Sequence, residues 1–172
     1  MEYGLTLSRN RSHDLIIYSD ANWAGCPDTR RSTSGYCVFL GDNLISWSSK
    51  RQHTVSRLSA KAKYTGVANA MAEACWIRQF LGELLRTLTH DVTLIYCDNI
   101  SAMYSSTNPV HHHRTKHVEI DLYFVRERMA LGVVWILHVP MSLQYADIFT
   151  KGLPTTVFTN FWSRLNVHSS PS

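Results

Sequence analysis

Hydrophobic residues along this chain form several short runs of β type and one long helical stretch. Apolar or alternating runs over 15–18, 35–40, 43–48, 92–97 and 133–139 predict strands. Gly41 and Asp42 separate two of them and predict a hairpin with a two-residue turn. The stretch 59–88 predicts a helix, because its apolar residues recur near the helical period. They are Tyr64, Val67, Met71, Cys75, Leu81, Leu84, Leu85 and Leu88.

Shorter polar-apolar patterns predict the remaining helices. One opens at Asp98 and Asn99, which can cap a helix, and a second covers 115–131 and is stopped by Gly132. Two more follow the last strand, one over 143–150 and one that starts at Pro154. The order of a hairpin followed by βαβ units predicts an α/β fold. Its mixed five-stranded sheet starts with three antiparallel strands, adds parallel ones and is flanked by helices.

Composition narrows the class of protein only a little. The chain has 172 residues, 45% of them hydrophobic, which suits one domain with its own core. No apolar run is long enough to span a membrane and the first residues are polar, so we expect an intracellular protein, cytoplasmic or nuclear, that is not secreted. Four scattered cysteines favour reduced thiols. The net charge of +4 permits a polyanionic partner without requiring one.

Two aspartates follow apolar strands and suggest a metal site. Asp20 comes after the run 15–18, and Asp98 comes after the run 92–97. Strand ends are rigid, so their carboxylates can be held close enough to bind a divalent ion. A third carboxylate would be expected on the long helix that lies between them. Near its start that helix carries Lys61 and Lys63 instead, so the predicted metal site lacks one acidic ligand.

Several motifs in unbroken order resemble the ribonuclease H domain of copia-type retrotransposon polyproteins, most closely those of plants. The likeness covers about residues 3–167 and rests on SDANWAG (19–25), RSTSGY (31–36), ISWSSKRQ (45–52), YCDN (96–99), RTKH (114–117) and ADIFTK (146–151). The resemblance implies a ribonuclease H-like fold and an ancestral activity that cuts the RNA strand of RNA–DNA hybrids.

The resemblance also implies a catalytic centre of four carboxylates that hold two magnesium ions about 4 Å apart. By motif, the first carboxylate is Asp20, the third is Asp98 and the fourth is Asp147. The second belongs to an Ala-Glu-Ala-Glu-Tyr segment, and the catalytic glutamate of that segment is replaced here by Lys63. Lys61 replaces its non-catalytic companion, because residues two apart on a helix point in different directions.

Lys63 is expected to impair two-metal hydrolysis and Mg²⁺ binding. At an effective dielectric of about 20, an ammonium about 4 Å from a divalent ion meets roughly 8 kcal/mol of repulsion. Glu73 cannot substitute, because it lies about three helical turns further along. We expect the long Lys63 side chain to place its ammonium group in water. The alternative is that the ammonium occupies the vacant metal position and binds a phosphate directly.

Basic residues are candidates for contacts with nucleic acid. Arg114, Lys116 and His117 belong to one of the resembling motifs, and a structural role for them remains open. His113 and His117 have a zinc-like spacing, but a polar segment leading into a helix is the favoured interpretation. The five tryptophans are expected in the core, with Trp23 as the exception. Sequence-independent phosphate contacts are expected from Arg30, Arg31, Lys50, Arg51 and Arg57.

Three functional hypotheses remain open at this point. The chain is an impaired ribonuclease H, a recruited module that binds nucleic acid or a protein partner without catalysis, or the product of a degenerate element. We expect residues 1–13 to be the remnant of a connection to a reverse transcriptase, 14–167 to be the ribonuclease H-like domain, and 168–172 to be a disordered tail. No polymerase activity is expected, because the polymerase aspartates are absent, and the oligomeric state stays open.

Overall fold

The computed structural model describes residues 3–9, 12, 14–85, 92–99 and 116–169. Seven strands are found in this part of the chain: β1 (Tyr3–Leu5), β2 (Leu15–Asn22), β3 (Thr33–Leu40), β4 (Asn43–Arg51), β5 (Thr93–Cys97), β6 (Val134–His138) and β7 (Val167–Ser169). The helices are α1 (Ser59–Leu85), α2 (Lys116–Ala130) and α3 (Thr155–Arg164), with two 3-10 helices at Met141–Leu143 and Tyr145–Phe149.

A mixed five-stranded sheet forms the centre of the fold, in the order β4-β3-β2-β5-β6. The first three strands are antiparallel, and β5 and β6 are added in parallel to β2. Because β2 and β5 are parallel neighbours, their carboxyl ends lie at the same end of the sheet. The predicted fold class and the predicted Gly41-Asp42 hairpin are both confirmed.

Each face of the sheet buries its own hydrophobic cluster. On one face, Ile17 and Ile95 pack with Met71 of α1 and Val125 of α2. On the other face, Cys37, Phe39, Leu44 and Leu165 form a smaller cluster against the second 3-10 helix and the chain after α3. Successive residues of a strand point to opposite faces, so β2 contributes side chains to both layers. This three-layer arrangement fixes the strand ends where the candidate site lies.

A separate two-stranded ribbon joins the two ends of the described chain. β1 pairs antiparallel with β7, with Gly4 opposite His168. The expectation of a disordered tail from residue 168 onward is therefore wrong for His168 and Ser169, which are held by this pairing. The remaining tail residues, 170–172, lie outside the described part.

Several helix predictions need correction or lie outside the described residues. The helix predicted over 143–150 is the short 3-10 helix Tyr145–Phe149, and Pro154 precedes α3 as its N-cap. Leu84, predicted on the buried stripe of α1, is 64% exposed. Residues 86–91 and 100–115 contain the predicted end of the long helix and the helix predicted after Asp98, and both fall outside the described part.

The cysteine prediction is confirmed, and the tryptophan prediction is largely wrong. Cys26, Cys37, Cys75 and Cys97 are all free thiols. Trp47, Trp76 and Trp135 are each more than half exposed, because they lie on outer faces of the edge strands and of α1. Among the residues that the structure describes, no helix combines the length and the apolar character needed to cross a membrane.

Candidate active site

Three aspartates meet at one end of the sheet. Asp20 lies near the carboxyl end of the central strand β2, and Asp98 directly follows the neighbouring strand β5. Asp147 comes from the 3-10 helix Tyr145–Phe149. Their side chains are 0%, 5% and 6% exposed, respectively. The strands and the short helix thus gather three carboxylates that the sequence placed far apart.

The 3-10 helix is held against the sheet by close contacts and hydrogen bonds. A Cβ atom at Gly35 would lie 2.7 Å from a side-chain carbon of Thr150 and 2.8 Å from Cβ of Phe149, so only glycine lets the helix approach β3 this closely. The buried amide of Gln144 donates to the carbonyl of Ser19, next to Asp20. The Thr150 hydroxyl donates to Asp20 Oδ2 at 2.6 Å. These contacts fix Asp147 beside Asp20.

Helix α1 carries Lys63 to the same place. Gly66 lies directly against β2, where an added Cβ atom would be 3.3 Å from the carbonyl oxygen of Asp20. This close approach explains a glycine inside a long helix, where it otherwise lowers helix stability. Lys63 is located one turn before Gly66, so its side chain projects toward the carboxyl ends of β2 and β5.

Lys63 binds the aspartates, which contradicts the expectation that it turns to water. Its Nζ atom lies 2.6 Å from Asp98 Oδ1 and 2.7 Å from Asp98 Oδ2. The same atom is 3.4 Å from Asp20 Oδ1. Only 18% of the Lys63 side chain is exposed. The expectation failed because two buried carboxylates attract the ammonium more strongly than water can compensate for.

A second lysine, Lys151, mirrors this arrangement on the other side of Asp20. Its Nζ atom is 2.7 Å from Asp147 Oδ1 and 3.2 Å from Asp20 Oδ2. Lys151 was not among the predicted site residues, although it belongs to the resembling motif at 146–151 and stands four residues after Asp147, just beyond the 3-10 helix. That spacing is the signal that could have identified it.

The charges in this cluster shift the pKa values of its members in opposite directions. Burial alone would raise the pKa of Asp20, but the Thr150 hydroxyl and the ammonium groups of Lys151 and Lys63 outweigh it and leave that pKa lowered. Burial raises the pKa of Asp147 to about 6, and the negative charge of Asp20 adds to the effect. Burial opposes the charged form of Lys151, but its bond to Asp147 and its proximity to Asp20 leave its pKa raised. Asp147 is therefore the carboxyl of this pair that is protonated first on acidification.

Divalent metal ions do not fit this donor set as it is arranged. Asp20 and Asp98 share the ammonium of Lys63, and Asp20 and Asp147 share that of Lys151. No group of three or more His, Cys, Asp or Glu side chains suited to a metal ion is found within the described residues. Asp20 Oδ1 is buried and accepts no hydrogen bond within this part, and the cation beside it is Lys63. An ion could enter only by displacing a lysine.

A broad groove beside this centre collects basic residues. It encloses about 1280 Å³ between the edge strand β4 and the start of α1. Lys50, Arg51, Arg57 and Lys61 line it, together with His53. The described residues show no salt bridge that involves any of these four lysines and arginines. Their charges therefore remain available for an anionic partner.

The sheet register places the groove close to the aspartates. Lys50 pairs with Ser34, which pairs with Ala21, the residue after Asp20. Two strand spacings separate the backbones, which is about 10 Å. The backbone of Lys50 thus lies close to the strand that carries Asp20.

Among the other predicted nucleic-acid contacts, the structure describes the side chains of Arg30 and Arg31. Arg30 and Arg31 are exposed in the loop between β2 and β3, at the same end of the sheet, but they do not line it. Lys116 and His117 begin α2. Arg114, His113 and the side chains of Lys116 and His117 lie outside the described part, so the predicted roles of this motif stay predictions. Cys97 is a buried thiol, and burial raises its pKa to about 11.

Comparison with curated proteins identifies partial relatives of this chain. It is 44% identical over 169 residues to the retrovirus-related Pol polyprotein from transposon RE1 of Arabidopsis thaliana, covering 98% of this chain and 12% of the relative. It is 42% identical over 170 residues to the corresponding protein from transposon RE2 of the same plant, again covering 12% of the relative. The chain thus spans about an eighth of the length of these polyproteins. No family model matches it.

Comparison with solved structures identifies the fold. LC11-RNase H1, isolated from compost by a metagenomic approach, superposes with a TM-score of 0.60 at 14% identity, over 80% of this chain and 93% of that one. The same protein in complex with an RNA/DNA hybrid gives a TM-score of 0.58 at 13% identity, over 80% and 94% of the two chains. The sequence comparison and the sheet order agree, so the chain is homologous to a segment of plant copia-type Pol polyproteins and has the ribonuclease H-like fold.

Proposed function

We propose that this chain is a ribonuclease H-like domain that binds nucleic-acid duplexes, RNA–DNA hybrids above all, and whose two-metal hydrolysis is severely impaired. The observation that carries the proposal is the position of Lys63. Its ammonium binds both oxygens of Asp98 and approaches Asp20, where hydrolysis by two metal ions requires an acidic ligand.

The impairment has two causes that act together. Replacing the glutamate removes one ligand, and the lysine also neutralises the two aspartates that would hold an ion nearby. A metal ion would have to break the bidentate Lys63–Asp98 contact and then tolerate a positive charge close by. Both costs fall on the same step, which is the binding of the ion.

Binding of nucleic acid is supported by the basic groove and by a structural neighbour. Lys50, Arg51, Arg57 and Lys61 supply positive charges that are not engaged in the described salt bridges. Such charges bind phosphates without reading sequence and release counter-ions on binding. LC11-RNase H1, which shares the fold, was solved in complex with an RNA/DNA hybrid.

The test is a comparison of hybrid cleavage by the natural chain and by Lys63→Glu. With Mg²⁺ we expect very slow cleavage by the natural chain and a gain of about a hundredfold or more in the variant, since even outer-shell changes at metal sites alter activity 10–100-fold. In this variant the added carboxylate attracts the ion strongly enough to displace the partly exposed Lys151, which cannot happen while Lys63 repels the ion.

The matched control is Lys61→Glu, which makes the same charge change two residues away on the same helix. It should not restore cleavage even at saturating hybrid, because Lys61 lines the groove and is not part of the aspartate cluster. Equal Mg²⁺-dependent turnover in the natural chain and in Lys63→Glu would refute the impaired-site proposal. Absence of hybrid binding by the natural chain would refute the binding half independently.

A further inference from the structure

Asp20 has a different ammonium group on each of its two carboxylate oxygens. Lys63 approaches Oδ1 at 3.4 Å and Lys151 approaches Oδ2 at 3.2 Å. Each lysine also bonds to a second aspartate, Lys63 to Asp98 and Lys151 to Asp147. The five side chains form a continuous row of alternating charge with Asp20 at its centre.

The positive and negative charges in this row nearly balance. Three carboxylates carry three negative charges and two ammonium groups carry two positive ones, when all are ionised. The aspartate side chains are at most 6% exposed, so bulk water does little to stabilise their charges. A cluster of buried carboxylates without counter-ions would be strongly unfavourable. The two lysines therefore compensate the negative charge of this cluster, as bound metal cations would otherwise do.

We infer that Lys63 and Lys151 are built-in counter-ions that take the places of both divalent ions, so that the folded centre neither requires nor binds divalent metal. The inference goes beyond the proposed function, which concerns hydrolysis and needs only Lys63. It rests on that function only in taking Asp20, Asp98 and Asp147 as the ancestral metal ligands.

The same geometry argues against direct phosphate binding by Lys63. Its ammonium lies against both oxygens of Asp98 and near Asp20 Oδ1, and the remaining charge of the cluster is negative. Phosphates must therefore be bound by the basic groove and not by the lysines of the centre. Hybrid binding should consequently persist in EDTA without any requirement for Mg²⁺.

Thermal unfolding with and without Mg²⁺ tests the inference. The natural protein should melt at the same temperature in millimolar MgCl₂ and in EDTA, with KCl added to match ionic strength, because an ion that does not bind cannot stabilise. Lys63→Met removes one built-in cation and should lower the melting temperature in EDTA by about 5 °C or more. Mg²⁺ should then restore about 5–10 °C, since the vacated position can accept an ion.

The charge-matched control is Lys61→Met, which should melt like the natural protein with either addition. A rise in the melting temperature of the natural protein with Mg²⁺ would overturn the inference. A Lys63→Met variant that folds but gains nothing from Mg²⁺ would also overturn it. Should that variant fail to fold, water-proton relaxation with Mn²⁺ on the natural protein decides. Free-ion relaxation supports the inference, and enhanced relaxation that EDTA abolishes overturns it.

Failure of the inference is distinguishable from failure of the proposed function. Bound Mn²⁺ with no cleavage would end the built-in counter-ion account and leave impaired hydrolysis in place. Absence of hybrid binding with no bound Mn²⁺ would end the binding proposal and leave the counter-ions in place.

Discussion

The aspartate centre and the basic groove lie about two strand spacings apart, yet their lysines and arginines are used differently. In the centre, Lys63 and Lys151 are mostly buried and bonded to carboxylates. In the groove, Lys50 and Arg51 are exposed and form no salt bridge in the described part of the chain. The first pair stabilises the fold from within, and the second pair remains available to a partner.

The difference teaches that positive charge near a cluster of aspartates does not by itself indicate substrate binding. The burial of the ammonium group decides its role. A buried ammonium between carboxylates is held by strong electrostatic forces, whereas an exposed one contributes little to stability. Stability measurements should therefore respond mainly to changes in the centre. Hybrid affinity should respond mainly to changes in the groove.

The largest effect on stability is expected from Asp20→Asn. The neutral amide removes the carboxylate that both ammonium groups share, although Lys63 keeps Asp98 and Lys151 keeps Asp147. The free energy of unfolding should therefore fall by about 2–3 kcal/mol. Chemical denaturation measures this change. Hybrid affinity of the folded variant should remain within a factor of about three, because the groove keeps all its cations.

Asp14→Asn is the control for this prediction, because Asp14 precedes the same strand but is exposed. Its free energy of unfolding should change by less than about 1 kcal/mol. Equal losses in the two variants would mean that the central charge network has no special role in stability.

An intermediate effect is expected from pH, through Asp147. Its pKa is raised from 3.8 to about 6 in the folded protein, so between these values the folded state binds more protons than the unfolded chain. The contribution of this group to the free energy of unfolding should therefore fall as pH rises from about 4 to about 6 and then stay level, by roughly 2 kcal/mol in all. Denaturation midpoints across this pH range measure the change.

The Asp147→Asn variant should lack this pH dependence, since its amide does not titrate. A natural protein whose stability rises steadily over the same range, with no difference from the variant, would contradict the raised pKa of Asp147. Asp20 has a lowered pKa, so its own contribution is lost at lower pH, below the window used here.

The smallest effect in free energy is expected from single changes in the groove. Arg51→Ala and Lys50→Ala should each weaken hybrid binding about 3–10-fold, close to 1 kcal/mol, and reduce the salt dependence by about one phosphate contact. Stability should hardly change, because both side chains are exposed. Fluorescence anisotropy at several salt concentrations measures both quantities.

Arg9→Ala serves as the control for the groove. Arg9 follows Ser8, which bonds to Asn43 at the far end of β4 from Arg51. Its replacement removes an exposed cation of the same kind outside the groove. If Arg9→Ala weakened hybrid binding as much as Arg51→Ala does, binding would depend on net charge alone and not on the groove.

Much of the fold could be predicted because its strands and α1 are long and strongly patterned. The β3–β4 hairpin and the end of α2 near Gly132 follow from local signals, and the order of the elements predicted that the later strands are parallel. The β1–β7 ribbon was missed, because segments of three residues carry no periodicity and depend on a partner at the other end of the chain. Trp76 and Phe80 stack on each other outside the core, which an apolar pattern alone cannot reveal.

The acidic residues of the site could be predicted from the sequence, but the contacts of its two lysines could not. Asp20, Asp98 and Asp147 could be identified from their motifs, and the structure brings them together. The orientation of Lys63 could not, because it depends on the burial of two carboxylates that only the folded chain creates. Lys151 escaped notice for the same reason, although its spacing from Asp147 was a usable signal.

The most direct test of the central claim is a crystal structure of the natural protein grown with MnCl₂, with anomalous scattering used to locate manganese. The account predicts no manganese peak at Asp20, and the Lys63 ammonium bonded to Asp98 as described. Two manganese peaks bridged by Asp20, with Lys63 turned to solvent, would contradict it.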